Sequence, residues 1–374
     1  MSFVMRLVGA MLLSALRFLN RKIMMNDLKA IFKNNSLLEN KVAPGEAEFI
    51  QQWSLLDKQV SPLSYRFYSK YIGFDKDIVP PDVARNYIEP VLNAGDCIKF
   101  YNDKNSFHLF LDPKDMPKVL FRSMKYRRYD GDYNPVQVEE FEQCFIGEER
   151  VIVKPAKDLG GRGVDIFERV NGKFVNREGA ELTLSYLTAH YKTDYLIQSC
   201  FIQSPYIAQF NPSSVNTIRV NTYRDVSTGE IHVLGAALRI GAKGANVDNA
   251  SSGGGIIAVD ENGKLGQCVY DKYGRGTSVY NDIDFASNEY VIPNFSEVKK
   301  FARKITTRLP HMGLLALDVV LDATNTPKLI EVNSSSFSVK FLQLTQHPVF
   351  GKYTADVINY CKQHKSEIGT GVHM

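Results

Sequence analysis

Two carboxylates set inside otherwise apolar strands constrain this chain more than any other feature. The run Leu314 to Leu321 is apolar except for Asp318, and after the polar connection Asp322 to Pro327 the run Leu329-Ile330-Glu331-Val332-Asn333 follows. Two such runs across a short polar link read as a β-hairpin. With the turn centred between Thr324 and Asn325, Asp318 lies directly opposite Glu331, and strand alternation puts Asn333 on the same face. Unpaired carboxylates in apolar strands are costly, so the three oxygen donors are expected to share a partner. Two carboxylates and an amide fit a hard cation that keeps waters and substrate phosphates, as Mg²⁺ usually does. The alternative is a solvated polar hairpin face.

A second feature lies upstream. Val151-Ile152-Val153-Lys154 reads as a strand ending on a lysine. A loop with Gly160, Gly161 and Gly163 follows, then the apolar residues Val164 to Phe167. Glycine tolerates positive φ and lets main-chain N–H groups turn inward on an anion, so the loop is a candidate phosphate cover. It lacks the spacing of a Walker loop, and a strand in place of a helix after it argues against a Rossmann turn. A plain hairpin is the alternative.

The rest of the chain sets limits. From about residue 95 short strands alternate with helical segments at Leu182–Tyr191 and Ser296–Arg308, which indicates α+β layers and not a doubly wound parallel sheet. Residues 1–90 read as helical, punctuated by Ser61-Pro62 and Val79-Pro80-Pro81. With 45 basic and 41 acidic side chains the net charge is only +4, so no whole-protein field points to nucleic acid. The basic and aromatic cluster Lys118 to Tyr129 reads as a solvated face, and no nucleic-acid partner is expected. Five dispersed cysteines without CxxC spacing indicate reduced thiols in the cytoplasm. The apolar run Leu7 to Leu16 is too short to span a bilayer. It reads as a helix packed on the protein or a second subunit, or as an interfacial helix that puts residues 3–19 at the inner membrane face.

Strand, lysine, glycine loop, hinge and a D…E-x-N hairpin together resemble the ATP-grasp superfamily, and within it the sugar-transfer-associated ATP-grasp family. The resemblance covers roughly residues 90 to 350. It implies an ATP-grasp fold, two α+β subdomains clamping ATP behind a helical N-terminal extension. The expected boundaries are 1–90 for the extension, 91–350 for the ATP-grasp domain with a lid at about 145–205, and 351–374 for a C-terminal helix and tail.

Position by position, the resemblance implies that Lys104 and Lys154 reach the phosphates under Gly160, Gly161 and Gly163. Gln198 would meet the adenine amino group, with Ser199 and Phe201 offering backbone groups. Asp318, Glu331 and Asn333 would hold Mg²⁺, and Arg219, Arg239 and Asn249 would act on the reacting groups. Asp248 and Gly253 to Gly255 would line the acceptor side. The implied activity is an ATP-dependent carboxylate–amine ligase working through an acyl phosphate on a small-molecule or glycan-precursor substrate. A kinase of the same fold and a non-catalytic nucleotide-binding scaffold are the alternatives. Residues 1–90 depart from relatives that begin with a Rossmann-like domain.

Overall fold

The computed structural model describes residues 3–37, 40–157, 163–245, 248–249, 252–335 and 337–368, with side chains from Val8 onward. The described strands form two antiparallel sheets and a small ribbon. The first sheet contains β1 (Val119–Met124), β2 (Arg127–Asp130), β3 (Arg150–Pro155), β4 (Asp165–Val170), β5 (Lys173–Asn176) and β6 (Tyr195–Ser199), in the order β2-β1-β6-β3-β4-β5. The second contains β7 (Thr217–Arg224), β8 (Ile231–Ile240), β9 (Gly255–Val259), β10 (Leu265–Tyr270) and β11 (Gly276–Thr277). After the ribbon β12 (Val279–Tyr280) and β13 (Ile283–Asp284), it is completed by β14 (Leu314–Leu321) and β15 (Pro327–Asn333), in the order β11-β10-β9-β8-β7-β14-β15.

The second sheet is covered on both faces, which is why β7 and β14 are buried almost along their whole length. On one face Ile218, Val220, Leu315 and Leu317 share a core with Val298, Ala302 and Ile305. Those three lie on the helix Phe295–Thr307, whose apolar residues recur at helical spacing. On the opposite face, Tyr223, Leu314 and Ala316 share a core with Phe49, Trp53 and Phe67 of the N-terminal helices and with Val357 and Ile358 of the helix Thr354–His364. The N-terminal helices therefore roof one end of this face. Its other end, carrying Thr217, Arg219 and Asp318, opens into a cleft.

One expectation changes. The cluster Lys118 to Tyr129 is not a single solvated face: most of it forms the hairpin β1–β2. Arg122 within it is fully buried, donating to the carbonyls of Asn105 and Gly131 with its guanidinium 4.4 Å over the Tyr133 ring. The helix Phe3–Asn34 packs on the core through Leu28, Ile31 and Phe32, while Val8, Met11, Leu12, Leu16, Phe18, Leu19 and Ile23 stay exposed. No described helix is long and apolar enough to cross a membrane.

Candidate functional site

A cleft of about 850 Å³ lies between the two sheets. The first sheet contributes Ile152, Lys154 and Ile166; the segment after β6 contributes Cys200, Phe201 and Ile202; the second sheet contributes Thr217, Arg219, Arg239, Asp318, Glu331 and Asn333.

The hairpin β14–β15 pairs Asp318 with Glu331, as turn counting predicts, but by a less direct route. Near the turn Leu321 pairs with Pro327 and Val319 with Leu329; a bulge then leaves Ile330 unmatched before Asp318 meets Glu331. An extra residue in one strand re-aims neighbouring side chains, and here both Ile330 and Glu331 line the cleft. Asn333 lines it too, its amide 3.2 Å from the Ala316 carbonyl and 3.4 Å from Asp318 Oδ2.

Asp318 sits at the centre of a buried ionic network. Arg219, its cross-strand neighbour on β7, donates Nε to Oδ1 at 2.5 Å and Nη2 to Oδ2 at 2.8 Å. Arg239, opposite Thr217 on β8, donates Nη1 to Asp318 Oδ2 at 3.0 Å and reaches Asp248 Oδ1 with Nη2 at 3.0 Å. Burial alone would raise the Asp318 carboxyl, but the two guanidiniums outweigh it and hold it below the usual carboxylate range. Burial pushes the Asp248 carboxyl up, against the pull of Arg239; Asp248 also accepts from the Thr217 N–H at 3.1 Å and from the Thr217 hydroxyl. The Arg219 guanidinium lies 5.0 Å over the Phe341 ring. The chain approaches so closely here that a Cβ on Gly254 would fall 2.5 Å from the Asp248 carbonyl oxygen.

Lys154 lines the cleft from the first sheet, with the charge of Lys104 close by. Lys104 pairs with Glu331 Oε1 at 2.9 Å, and its N–H is held by the Ala156 carbonyl just beyond β3. Burial, reinforced by the charge of Lys104 and opposed by Glu331, draws the Lys154 ammonium down to about 8. An ammonium so poorly solvated favours an incoming anion.

The expected nucleotide residues are placed unevenly. Ser199 and Phe201 line the cleft. The Ser199 N–H is used by the Lys118 carbonyl, while its buried hydroxyl has no partner among the described residues. Gln198 shares a face of the first sheet with Ile152 and Lys154, but its amide turns to the Pro117 carbonyl at 3.3 Å. Gly163 adopts φ 67°, with Pro155 close against it. Gly160 and Gly161 lie outside the described residues. Asn249 lines the cleft beside Asp248. The sequence reading missed the pairing of Lys104 with Glu331, the clamp of Asp248 on Arg239 and Thr217, and the seat of Arg219 on Phe341. Each joins segments distant in sequence, and no local pattern signals them.

These residues fit a magnesium–nucleotide complex. The orphaned Ser199 hydroxyl and the apolar walls Ile152, Ile166 and Ile330 suit a base, and the two lysines suit phosphates. Among the described residues no group of three or more His, Cys, Asp or Glu side chains is placed to hold a metal alone. A donor set of Glu331, Asn333 and Asp318 instead suits a cation completed by phosphates and water.

No curated protein matches the chain. Several solved structures do, at low similarity. The biotin carboxylase domain of Hydrogenobacter thermophilus 2-oxoglutarate carboxylase, solved with MgADP and bicarbonate, is 14% identical, with 73% of this chain and 47% of that chain covered and a TM-score of 0.40. For biotin carboxylase from Campylobacter jejuni the values are 14%, 73%, 48% and 0.43. For D-alanine–D-alanine ligase from Bacillus anthracis they are 12%, 72%, 69% and 0.38. The chain thus spans about half the length of the two carboxylase chains it matches. The model of the sugar-transfer associated ATP-grasp family matches residues 84–357, which takes in both sheets and the whole cleft, and the chain belongs to that family.

Proposed function

We propose that this protein is an ADP-forming ligase that uses Mg-ATP to activate a carboxylate and join it to an amine. The observation that carries the reading is the opposition, across one cleft, of Lys154 on the first sheet to the Arg219–Asp318–Arg239 network and Glu331 on the second. Cations on both walls suit a polyphosphate, and two carboxylates and an amide among them suit the ion that accompanies it.

Lys104 and Lys154 neutralise phosphate oxygens. Glu331, Asn333 and Asp318 would hold Mg²⁺, which would supply charge neutralisation at the phosphates. Arg239 and Arg219 keep positive potential where negative charge builds during transfer of the terminal phosphoryl group to a carboxylate oxygen. The amine then attacks the acyl carbon and phosphate leaves. In this reading Ser199 and Phe201 lie at the base end of the cleft and Asn249 at the acceptor end, with Gln198 behind them on the Pro117 carbonyl.

The family's association with sugar transfer favours a carboxylated glycan precursor, such as a uronic acid, as one substrate. The seven exposed apolar residues between Val8 and Ile23 support a reading in which the helix Phe3–Asn34 meets a membrane interface or a second copy of the chain, on the cytoplasmic side. The test is a mass-spectrometric screen of purified protein with ATP, Mg²⁺, uronic-acid sugars and amino acids. An amide product with ADP and free phosphate supports the ligase. A stable phosphate ester supports a sugar kinase, and nucleotide binding without turnover of any mixture supports a scaffold.

A further inference from the structure

A second cavity, of about 660 Å³, lies beneath the N-terminal helix Phe3–Asn34, within the roughly 300–1,000 Å³ of ordinary ligand sites. Ser338 lies on the walls of both this cavity and the cleft. Ser338 also holds φ 57°, a left-handed conformation that a non-glycine residue keeps at some cost.

The cavity has an apolar and a charged part. Ile23, Leu28, Ile31 and Tyr68 supply apolar surface. The charged part holds Lys340, Arg85 and Lys272 against Asp27 and Glu89. Arg85 and Glu89 already pair at 3.1 Å. The side chains of Lys340 and Asp27 make no hydrogen bond or ion pair among the described residues, although both line the cavity, one just after the β14–β15 hairpin and one on the N-terminal helix. Burial draws the Lys340 ammonium down to about 8, opposed by the more distant charges of Asp271 and Asp27 and reinforced by that of Lys272. Lys340 is half-buried and Asp27 exposed at the cavity's rim; a partly desolvated cation without a side-chain partner gains from a bound anion.

We propose that this cavity binds a small zwitterion with an aliphatic body, an amino acid in chemical class, its carboxylate at Lys340 and its ammonium at Asp27. The ion pair that Lys340 and Asp27 do not make with each other is completed through the ligand, and Ile23, Leu28 and Ile31 receive its side chain. The binding site rests on the cavity and not on the ligase reading of the cleft.

The experiment is calorimetry on the full chain with L-alanine, L-valine and L-leucine, with hexanoate and hexylamine as single-charge controls. The variants are Lys340→Met and Asp27→Asn. Lys340→Met keeps the apolar stem and removes an unpaired charge, so it should fold at least as well as the parent, which a melting curve verifies. The expected result is saturable binding of at least one amino acid, weakened tenfold or more by each variant and stronger than that of either control. The proposal is overturned if none of the three amino acids binds, if either variant leaves binding unchanged, or if hexanoate binds as well as the amino acids. Binding of a non-hydrolysable ATP analogue with Mg²⁺ is measured on the same samples. Its loss with amino-acid binding intact counts against the nucleotide reading of the cleft, and the converse counts only against this cavity.

Discussion

Arg219 and Asp318 face each other across β7 and β14 and are joined by two hydrogen bonds, Nε to Oδ1 at 2.5 Å and Nη2 to Oδ2 at 2.8 Å. With Arg239 on the same carboxylate, Asp318 is the counter-charge for two buried guanidiniums as well as a donor in the proposed metal site. Its replacement therefore has two consequences, and they separate by method.

The first is on stability. Asp318→Asn keeps the shape but leaves Arg219 and Arg239 without this charge, and breaking a buried pair by removing one partner costs about 3–5 kcal/mol. Urea unfolding should show a loss in that range. A loss below about 1 kcal/mol would mean that Asp248 alone satisfies the arginines.

The second is on pH. The folded-state pKa of Asp318 is lowered, so its contribution is fully present above the unfolded value near ~3.9 and is lost as pH falls through the folded value. The stability gap between wild type and Asp318→Asn should stay level from neutrality down to about pH 4 and close only below it. A gap that closes between pH 7 and 5 contradicts the assignment.

Lys154 shifts in the opposite regime. Its folded value of about 8 lies below the unfolded ~10.4, so the folded state carries the full penalty of a buried charge below pH 8 and sheds it as pH rises from there. Lys154→Met should be more stable than wild type at pH 7, with the difference shrinking towards pH 10. Affinity for a non-hydrolysable ATP analogue should fall above pH 8 in wild type, whereas Lys154→Arg, always charged, should show no such fall. A flat wild-type profile would remove Lys154 from the phosphates.

Glu331 is freer than Asp318, with Lys104 as its one ion-pair partner among the described residues. Glu331→Gln should leave unfolding nearly unchanged and lower turnover by ~10²–10³, with a raised Mg²⁺ requirement. Turnover within threefold of wild type at saturating Mg²⁺ would take β15 out of the metal site.

Much of the site is legible in the sequence because strand alternation is a strict rule. Asp318, Glu331 and Asn333 converge as the spacing predicts, and Thr217 and Arg219 share the cleft face of β7. Tyr223 on the same face is instead buried in the core with the N-terminal helices, because the roof over the sheet comes from remote sequence. The bulge at Ile330 leaves no compositional mark. Arg122 reads as a surface charge because its buried partners, the carbonyls of Asn105 and Gly131, are main-chain groups that every residue carries.

The central claim, that a carboxylate oxygen attacks the terminal phosphate of ATP, has a direct readout in isotope transfer. With the acid substrate labelled with ¹⁸O in its carboxylate, the account predicts ADP and inorganic phosphate carrying one ¹⁸O atom for each amide formed. Unlabelled phosphate, AMP with pyrophosphate, or a stable phosphate ester in place of the amide would contradict it.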